Sequence, residues 1–184
     1  MLSTPEVLRR TGGQPVKSIV FDQATIAARV EALGAEITEA YPDGELLVLG
    51  LLKGSFIFLS DLVRTIQRPI QIDFLVAASY GDAKVSSGSV RLLYDPETRL
   101  EGKHILLVED IIDTGKTMQR LMKLLGPRHP RSMAICTLLD KELATEIRPE
   151  LRFVGFRAPS AFLVGYGLDH AENYRHLPFI ADLE

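Results

Sequence analysis

The sequence lacks several features that define particular classes of protein. It has a single cysteine, Cys136, which excludes an intrachain disulfide framework and fits a reducing compartment. No apolar run reaches the roughly 18 residues of a membrane span. The polar stretch 1–15 has no apolar segment like that of a signal peptide. These absences predict a cytoplasmic protein that does not associate with membranes.

An excess of charge of one sign is also lacking. Lys and Arg total 21, Asp and Glu total 24, and the net charge is −3. Because proteins that bind nucleic-acid backbones are usually basic, this balance argues against nucleic-acid binding over the whole surface. Hydrophobic residues make up 46% of the 184 residues, which argues against disorder. The length predicts one domain, covering 1–184.

Apolar patterns predict strands that alternate with helices. Helical spacing runs over 23–40, where Asp22 can cap the helix, and recurs over 56–66 and 118–125. Continuous apolar runs, typical of strands buried on both faces, stand at 46–52 and 104–108. Further strands are expected at 71–76, 90–94, 132–139, 153–156 and 162–165. The alternation predicts an α/β fold with an open, mostly parallel sheet, in which ligands bind at the carboxyl ends of strands.

The richest junction is ILLVEDIIDTGKT at 105–117. Glu109 and Asp110 cap a predicted buried strand, and Asp113 precedes a turn that opens a helix. Free N–H groups and the helix dipole make 113–117 a phosphate cradle. A nucleotide-hydrolysing P-loop is excluded, because its first glycine would fall at Asp110. Carboxylates beside a phosphate cradle instead suit a sugar phosphate, whose hydroxyls donate to them. The alternative is a capped helix with solvated acids.

The segment VEDIIDTGKT resembles the phosphoribosyl pyrophosphate (PRPP) signature of type I phosphoribosyltransferases, most closely that of the hypoxanthine-guanine family. LLKGS at 51–55 resembles the pyrophosphate-binding loop, and SYG at 79–81 resembles the start of the mobile active-site loop. Asp140-Lys141, FVGF at 153–156 and FLVGYGLD at 162–169 resemble the purine-binding end. The resemblance implies the type I phosphoribosyltransferase fold, with a small hood for the purine built from the N-terminal and C-terminal segments.

The implied reaction is purine salvage. Phosphoribose passes from PRPP to N9 of a 6-oxopurine, hypoxanthine or guanine, giving IMP or GMP and pyrophosphate. The resemblance further implies Mg²⁺ as the cofactor and a homodimer or homotetramer. Two alternatives stay open: a PRPP-sensing regulator that binds nucleic acid on the same fold, and an enzyme that prefers xanthine. Glu142-Leu143-Ala144-Thr145 and Leu163 depart from the vertebrate pattern and blur the base preference.

The resemblance also implies roles for single residues. Asp113 is the expected catalytic general base near purine N7, and the Leu52–Lys53 peptide bond is expected to be cis. The expected PRPP-binding residues are Lys53, Gly54, Ser79, Tyr80, Glu109, Asp110, Asp113, Thr114, Gly115, Lys116, Thr117 and Arg175. The expected purine-binding residues are Lys141, Phe162, Leu163 and Asp169, and the expected Mg²⁺ ligands are Glu109, Asp110 and Asp169.

Several of these residues have a simpler interpretation. Asp113 can be the N-cap of the following helix, and Lys116 a solvated helix lysine. Phe162 either stacks on the purine or fills a strand core. The polar segment 79–89 is either a linker or a lid that excludes water from the reacting sugar. Lys141 is expected to donate to the 6-oxo oxygen, which disfavours adenine because adenine carries an amino group there.

Overall fold

A computed structural model describes residues 4–79 and 90–183, which form two β-sheets and four α-helices. In chain order the elements are α1 (Pro5–Arg10), β1 (Ser18–Phe21), α2 (Gln23–Ala40), β2 (Leu46–Leu52), α3 (Phe56–Thr65), β3 (Gln71–Ser79), β4 (Val90–Tyr94), β5 (His104–Ile112), α4 (Lys116–Leu125), a 3₁₀ turn (Gly126–Arg128), β6 (Ser132–Asp140), β7 (Leu151–Arg157), β8 (Leu163–Val164) and β9 (Ile180–Asp182). Within these described ranges, none of the helices has the length and apolar character needed to cross a membrane.

The larger sheet is mixed but mostly parallel, with the strand order β4-β3-β2-β5-β6-β7. All its strands are parallel except β4, which pairs with β3 in the antiparallel sense. Val48 of β2 packs into a core with α2 and α3, whereas its neighbour Leu47 packs into a core with α4. Both faces of the strand are therefore covered, which explains why its sequence is a continuous apolar run. The predicted α/β class is confirmed.

A local signal fixes the start of α2 as the sequence predicts. The Asp22 carboxylate accepts a hydrogen bond from the N–H of Thr25 at 2.8 Å, and this bond lowers the pKa of Asp22. The buried residues of the helix include Ile26, Val30 and Leu33, which lie at helical spacing along one face. The cap and the apolar stripe together position α2 against the sheet.

The end of β5 is the main correction to the predicted elements. The strand was expected to end at residue 108, before the acids, but it continues to Ile112. Pairing with β6 extends through Glu109↔Thr137 and Ile112↔Asp140, so Glu109 belongs to the sheet. The extra ladder satisfies the backbone groups of this acidic stretch, which no pattern of side chains reveals.

The smaller sheet, β1-β9-β8, is antiparallel and joins the two ends of the chain. Val7 of α1 packs with Val164, Leu177 and Phe179 beneath it. None of α1, β1 and β9 was predicted from the sequence, because each is short and α1 buries only Val7. The sheet is built from the segments expected to form the hood. The interpretation of 1–184 as one domain with such a hood stays a prediction.

Candidate active site

Three segments meet at Gly54, which follows the carboxyl end of β2. A Cβ atom on Gly54 would overlap the Asp110 carboxylate at the end of β5, and one on Gly167 would overlap the carbonyl oxygen of Gly54. These close approaches explain why both positions lack a side chain. The Leu52–Lys53 peptide bond just before Gly54 is cis, as the resemblance implies. The two close approaches hold the loop after β2 against β5 and against the loop after β8.

The adjacent acids of β5 form an electrostatically crowded pair. Asp110 is buried and Glu109 is half-buried, and the N–H of Asp110 donates to Glu109 Oε1 at 3.3 Å. Burial, reinforced by hydrogen bonding and charge repulsion from Asp110, raises the pKa of Glu109 well above its ordinary value. A cation or a hydrogen-bond donor beside the pair would relieve this repulsion. Sugar hydroxyls and Mg²⁺ both meet that requirement.

The predicted phosphate cradle opens α4. Gly115 is the N-cap of this helix, with φ +72° and ψ 0°, so the interpretation of Asp113 as the N-cap is wrong. A Cβ on Gly115 would come within 2.7 Å of Ala144 and 3.0 Å of Ile147. Gly115 also has no side-chain oxygen to accept the first N–H groups of the helix. The N–H groups at the start of α4 have no hydrogen-bond acceptor from the cap side chain, so they can bind an anion.

The cradle lines a pocket of about 260 Å³. All five residues of the predicted phosphate-binding set contribute to its wall, as does Glu109 from β5. Thr114, Lys116 and Thr117 are exposed. The pocket therefore joins the helix N-terminus to the acidic end of β5, which is the arrangement expected for a phosphorylated sugar. The role of Lys116, as a phosphate-binding residue or a solvated helix lysine, stays a prediction.

Two predicted site residues form an ion pair, one from the PRPP signature and one from the purine-binding end of the chain. Lys141 Nζ lies 3.2 Å from Asp113 Oδ2, with exposures of 34% for the lysine side chain and 55% for the aspartate side chain. Strands β5 and β6 are neighbours, and the N–H of Lys141 donates to the carbonyl of Ile112 at 2.9 Å. The sheet thus brings the expected general base beside the lysine expected to read the purine.

An ion pair between Asp140 and Arg148, here called the clamp, supports Lys141. The motifs in the sequence did not predict it. The Asp140 carboxylate is buried and forms hydrogen bonds with the Arg148 guanidinium, including one of 3.2 Å from Nη2 to Oδ1. The same carboxylate accepts from the N–H of Glu142 at 2.8 Å. Hydrogen bonding with Asp140 raises the pKa of Arg148. The clamp fixes the turn after β6, from which Lys141 projects.

The loop after β8 contributes Asp169 and Arg175. Arg175 Nη2 lies 2.8 Å from Asp169 Oδ1, and Nη1 donates to the carbonyl of Gly167 at 2.7 Å. Glu172, which sequence reasoning missed, also reaches the site: its Oε2 lies 3.0 Å from Lys53 Nζ. Only the position of Glu172 between two motif residues could have suggested it. The other carboxylate oxygen of Glu172 lies 3.6 Å from Arg175 Nη2, so Glu172 links the two cations expected at pyrophosphate.

The expected purine-binding residues near β8 differ in exposure. Phe162 precedes β8 and is 41% exposed, so its interpretation as a core residue is wrong. Its ring makes an edge contact with His170, with centroids 5.1 Å apart and planes at 87°. Leu163 is buried in the core, which leaves its backbone as the part able to meet a ligand.

The expected active-site loop and the expected Mg²⁺ ligands complete the predicted site. Ser79 is the last residue of β3, and the rest of the expected active-site loop, including Tyr80, lies outside the described residues. No three His, Cys, Asp or Glu side chains within 4–79 and 90–183 cluster closely enough to hold a metal ion. The expected Mg²⁺ ligands thus fall into an adjacent pair, Glu109 and Asp110, and the separate Asp169. Such sparse carboxylates suit Mg²⁺, which retains waters and takes phosphate oxygens from a substrate.

An anion cradle at a strand–helix junction, beside paired carboxylates at the carboxyl edge of a mostly parallel sheet, defines a sugar-phosphate-binding α/β protein. Residues 17–171 match the family model described as phosphoribosyl transferase domain. The chain belongs to this family, and its fold is that of the type I phosphoribosyltransferases.

Within this family, the chain is similar to proteins named for hypoxanthine and guanine. Hypoxanthine phosphoribosyltransferase from Salmonella typhimurium is 46% identical over 164 residues, covering 88% of this chain and 92% of the relative. Hypoxanthine-guanine phosphoribosyltransferase from Bacillus subtilis is 43% identical over 169 residues, covering 92% and 94%. The crystal structure of a Staphylococcus aureus hypoxanthine phosphoribosyltransferase superposes with a TM-score of 0.86 at 38% identity, covering 92% of each chain.

Proposed function

We propose that the protein is a purine-salvage enzyme that transfers 5-phosphoribose from PRPP to N9 of hypoxanthine or guanine. The observation that carries the proposal is the Asp113–Lys141 pair beside the phosphate cradle. The names of its relatives support the same reaction. A regulatory protein would need the cradle but would have no need for a base and a cation poised at the place of the purine.

In this mechanism the protein first fixes the sugar. The N–H groups of 113–117 donate hydrogen bonds to the 5′-phosphate, and Glu109 and Asp110 accept hydrogen bonds from the ribose hydroxyls. Lys53 and Arg175 lie on the side proposed for pyrophosphate. Holding the anomeric carbon between a fixed leaving group and a fixed purine makes the displacement effectively unimolecular.

Asp113 and Lys141 then act on neighbouring atoms of the purine. Lys141 donates to the 6-oxo oxygen, and the Asp113 carboxylate accepts the proton from N7. N9 uses its electron pair to bond to the anomeric carbon, while the carbon–oxygen bond breaks and its electrons leave with pyrophosphate. In the free protein the two side chains pair with each other, and the purine then replaces each partner with one of its own atoms.

We further propose Mg²⁺ as the cofactor, held by Glu109 and Asp110 through the sugar and by Asp169. When bound, Mg²⁺ neutralises the charge of the pyrophosphate that leaves. We also propose a cytoplasmic homodimer or homotetramer. A solved relative, the Trypanosoma cruzi hypoxanthine phosphoribosyl transferase, was studied for the role of its C-terminal region in oligomeric state.

The test is release of pyrophosphate from PRPP and Mg²⁺ with hypoxanthine, guanine, xanthine and adenine in parallel. Turnover with hypoxanthine or guanine, and none with adenine, is the expected result. Turnover with xanthine as the best substrate would favour the xanthine alternative. Absence of turnover with every base, together with salt-sensitive RNA binding, would favour the regulator.

A further inference from the structure

The loop after β8 contains a strained hairpin. His170 and Asn173 exchange backbone hydrogen bonds of 3.2 and 3.0 Å, and the central residues, Ala171 and Glu172, have φ values of +50° and +63°. Hairpins of this kind usually carry Asn-Gly, because a positive φ is unfavourable for residues with a Cβ atom. Tyr174 follows with φ +74°. Three such residues within four positions mark a segment whose shape is imposed by its contacts.

The contacts of Glu172 account for that shape. Its N–H donates to Asp169 Oδ2 at 2.9 Å. Its carboxylate lies 3.0 Å from Lys53 Nζ through one oxygen and 3.6 Å from Arg175 Nη2 through the other. Lys53 comes from the loop after β2, and Arg175 from the hairpin's own loop. The turn therefore holds one carboxylate between two cations that belong to separate parts of the chain.

From these contacts we propose that Glu172 is an internal competitor of pyrophosphate. The inference rests on the proposed function, which assigns Lys53 and Arg175 to the pyrophosphate of PRPP. A carboxylate and a phosphate use the same N–H donors. Glu172 and Asp169 also balance the two cations in charge, so a polyanion gains their full attraction only when Glu172 withdraws.

The strength of the competing contact suits repeated exchange. The side chains of Lys53 and Glu172 are 69% and 67% exposed, and exposed ion pairs are weak. Pyrophosphate can therefore displace Glu172 readily, and Glu172 can return as pyrophosphate leaves. Glu172 is thus a positioning residue that limits the affinity for pyrophosphate and favours its release.

The experiment measures the affinity of full-length wild-type protein and Glu172→Gln for magnesium pyrophosphate by titration calorimetry. The dissociation constant is expected to fall two- to fivefold in Glu172→Gln, and the KM for PRPP to fall in the same direction. The KM for hypoxanthine should not change. Glu31→Gln, which removes an exposed carboxylate from α2, is the control for a general effect of charge and should bind as wild type does.

An unchanged or higher dissociation constant for Glu172→Gln would overturn the proposal. A higher value would show that Glu172 holds Lys53 and Arg175 in place for the ligand. The gain should also vanish in the Lys53→Met background, and its persistence there would count against the proposal. Because pyrophosphate binding needs no purine, a protein that shows the gain but transfers no phosphoribose would contradict only the proposed function.

Discussion

Asp113→Asn separates catalysis from binding at the Asp113–Lys141 pair. The amide occupies the same volume but cannot take a proton, so the contribution of a general base, typically 10²–10⁴-fold, should be lost from kcat. The pair is partly exposed, so its loss should cost no more than about 1 kcal/mol of stability. For a chain of this length, that corresponds to a fall in Tm of roughly 2–4 °C. PRPP affinity should stay within about threefold.

The assay follows IMP formation from hypoxanthine at saturating PRPP, with the Kd for PRPP measured by calorimetry. Asp95→Asn is the matched control, because Asp95 pairs with Arg128 at 2.7 Å with similar exposures of 52% and 33%. The control should match the loss of stability and retain full activity. If kcat of Asp113→Asn stays within about threefold of wild type, the assignment of Asp113 as the base is wrong.

Three further predictions concern the framework of the site. Gly115→Ala should lower Tm and weaken PRPP binding more than Gly102→Ala, because both positions have positive φ but only a Cβ at Gly115 meets neighbours within 4 Å; equal effects would contradict this. Arg148→Met should lower the free energy of unfolding in urea by about 1–3 kcal/mol, because the buried Asp140 loses its charged hydrogen bonds. A decrease of less than about 0.5 kcal/mol would show that the clamp does not stabilise the turn after β6. Burial lowers the pKa of His104, and the positive charge of Arg131 lowers it further. The neutral imidazole therefore contributes stability above pH 6.5, and this contribution is lost as the pH falls. His104→Asn should flatten the decline of Tm between pH 6.5 and 5, and an unchanged slope would exclude His104 as the source of that decline.

The sequence was most informative where local signals and tertiary structure agree. The cap at Asp22 and the apolar run of β2 were predicted with their observed bounds. The PRPP motif identified the cradle, because a helix N-terminus after a strand is a local feature. It also implied the cis bond at Leu52–Lys53, which only resemblance could supply.

Features set by contacts between distant segments were missed. The extension of β5 depends on its ladder with β6, and the three-residue β9 exists because β1 and β8 flank it. The cap of α4 is a glycine because its φ is positive and Ala144 and Ile147 leave no space for a side chain. Glu172 joins the site through a lysine 119 positions away. None of these arrangements leaves a periodic pattern in the chain.

We propose above all that the protein transfers phosphoribose from PRPP to a 6-oxopurine and releases pyrophosphate. The most direct measurement is the stoichiometry of IMP and pyrophosphate formed from hypoxanthine and PRPP in the presence of Mg²⁺. We expect equal amounts of both products, and no pyrophosphate when the purine is omitted. Pyrophosphate released without IMP, or no release with either hypoxanthine or guanine, would contradict it.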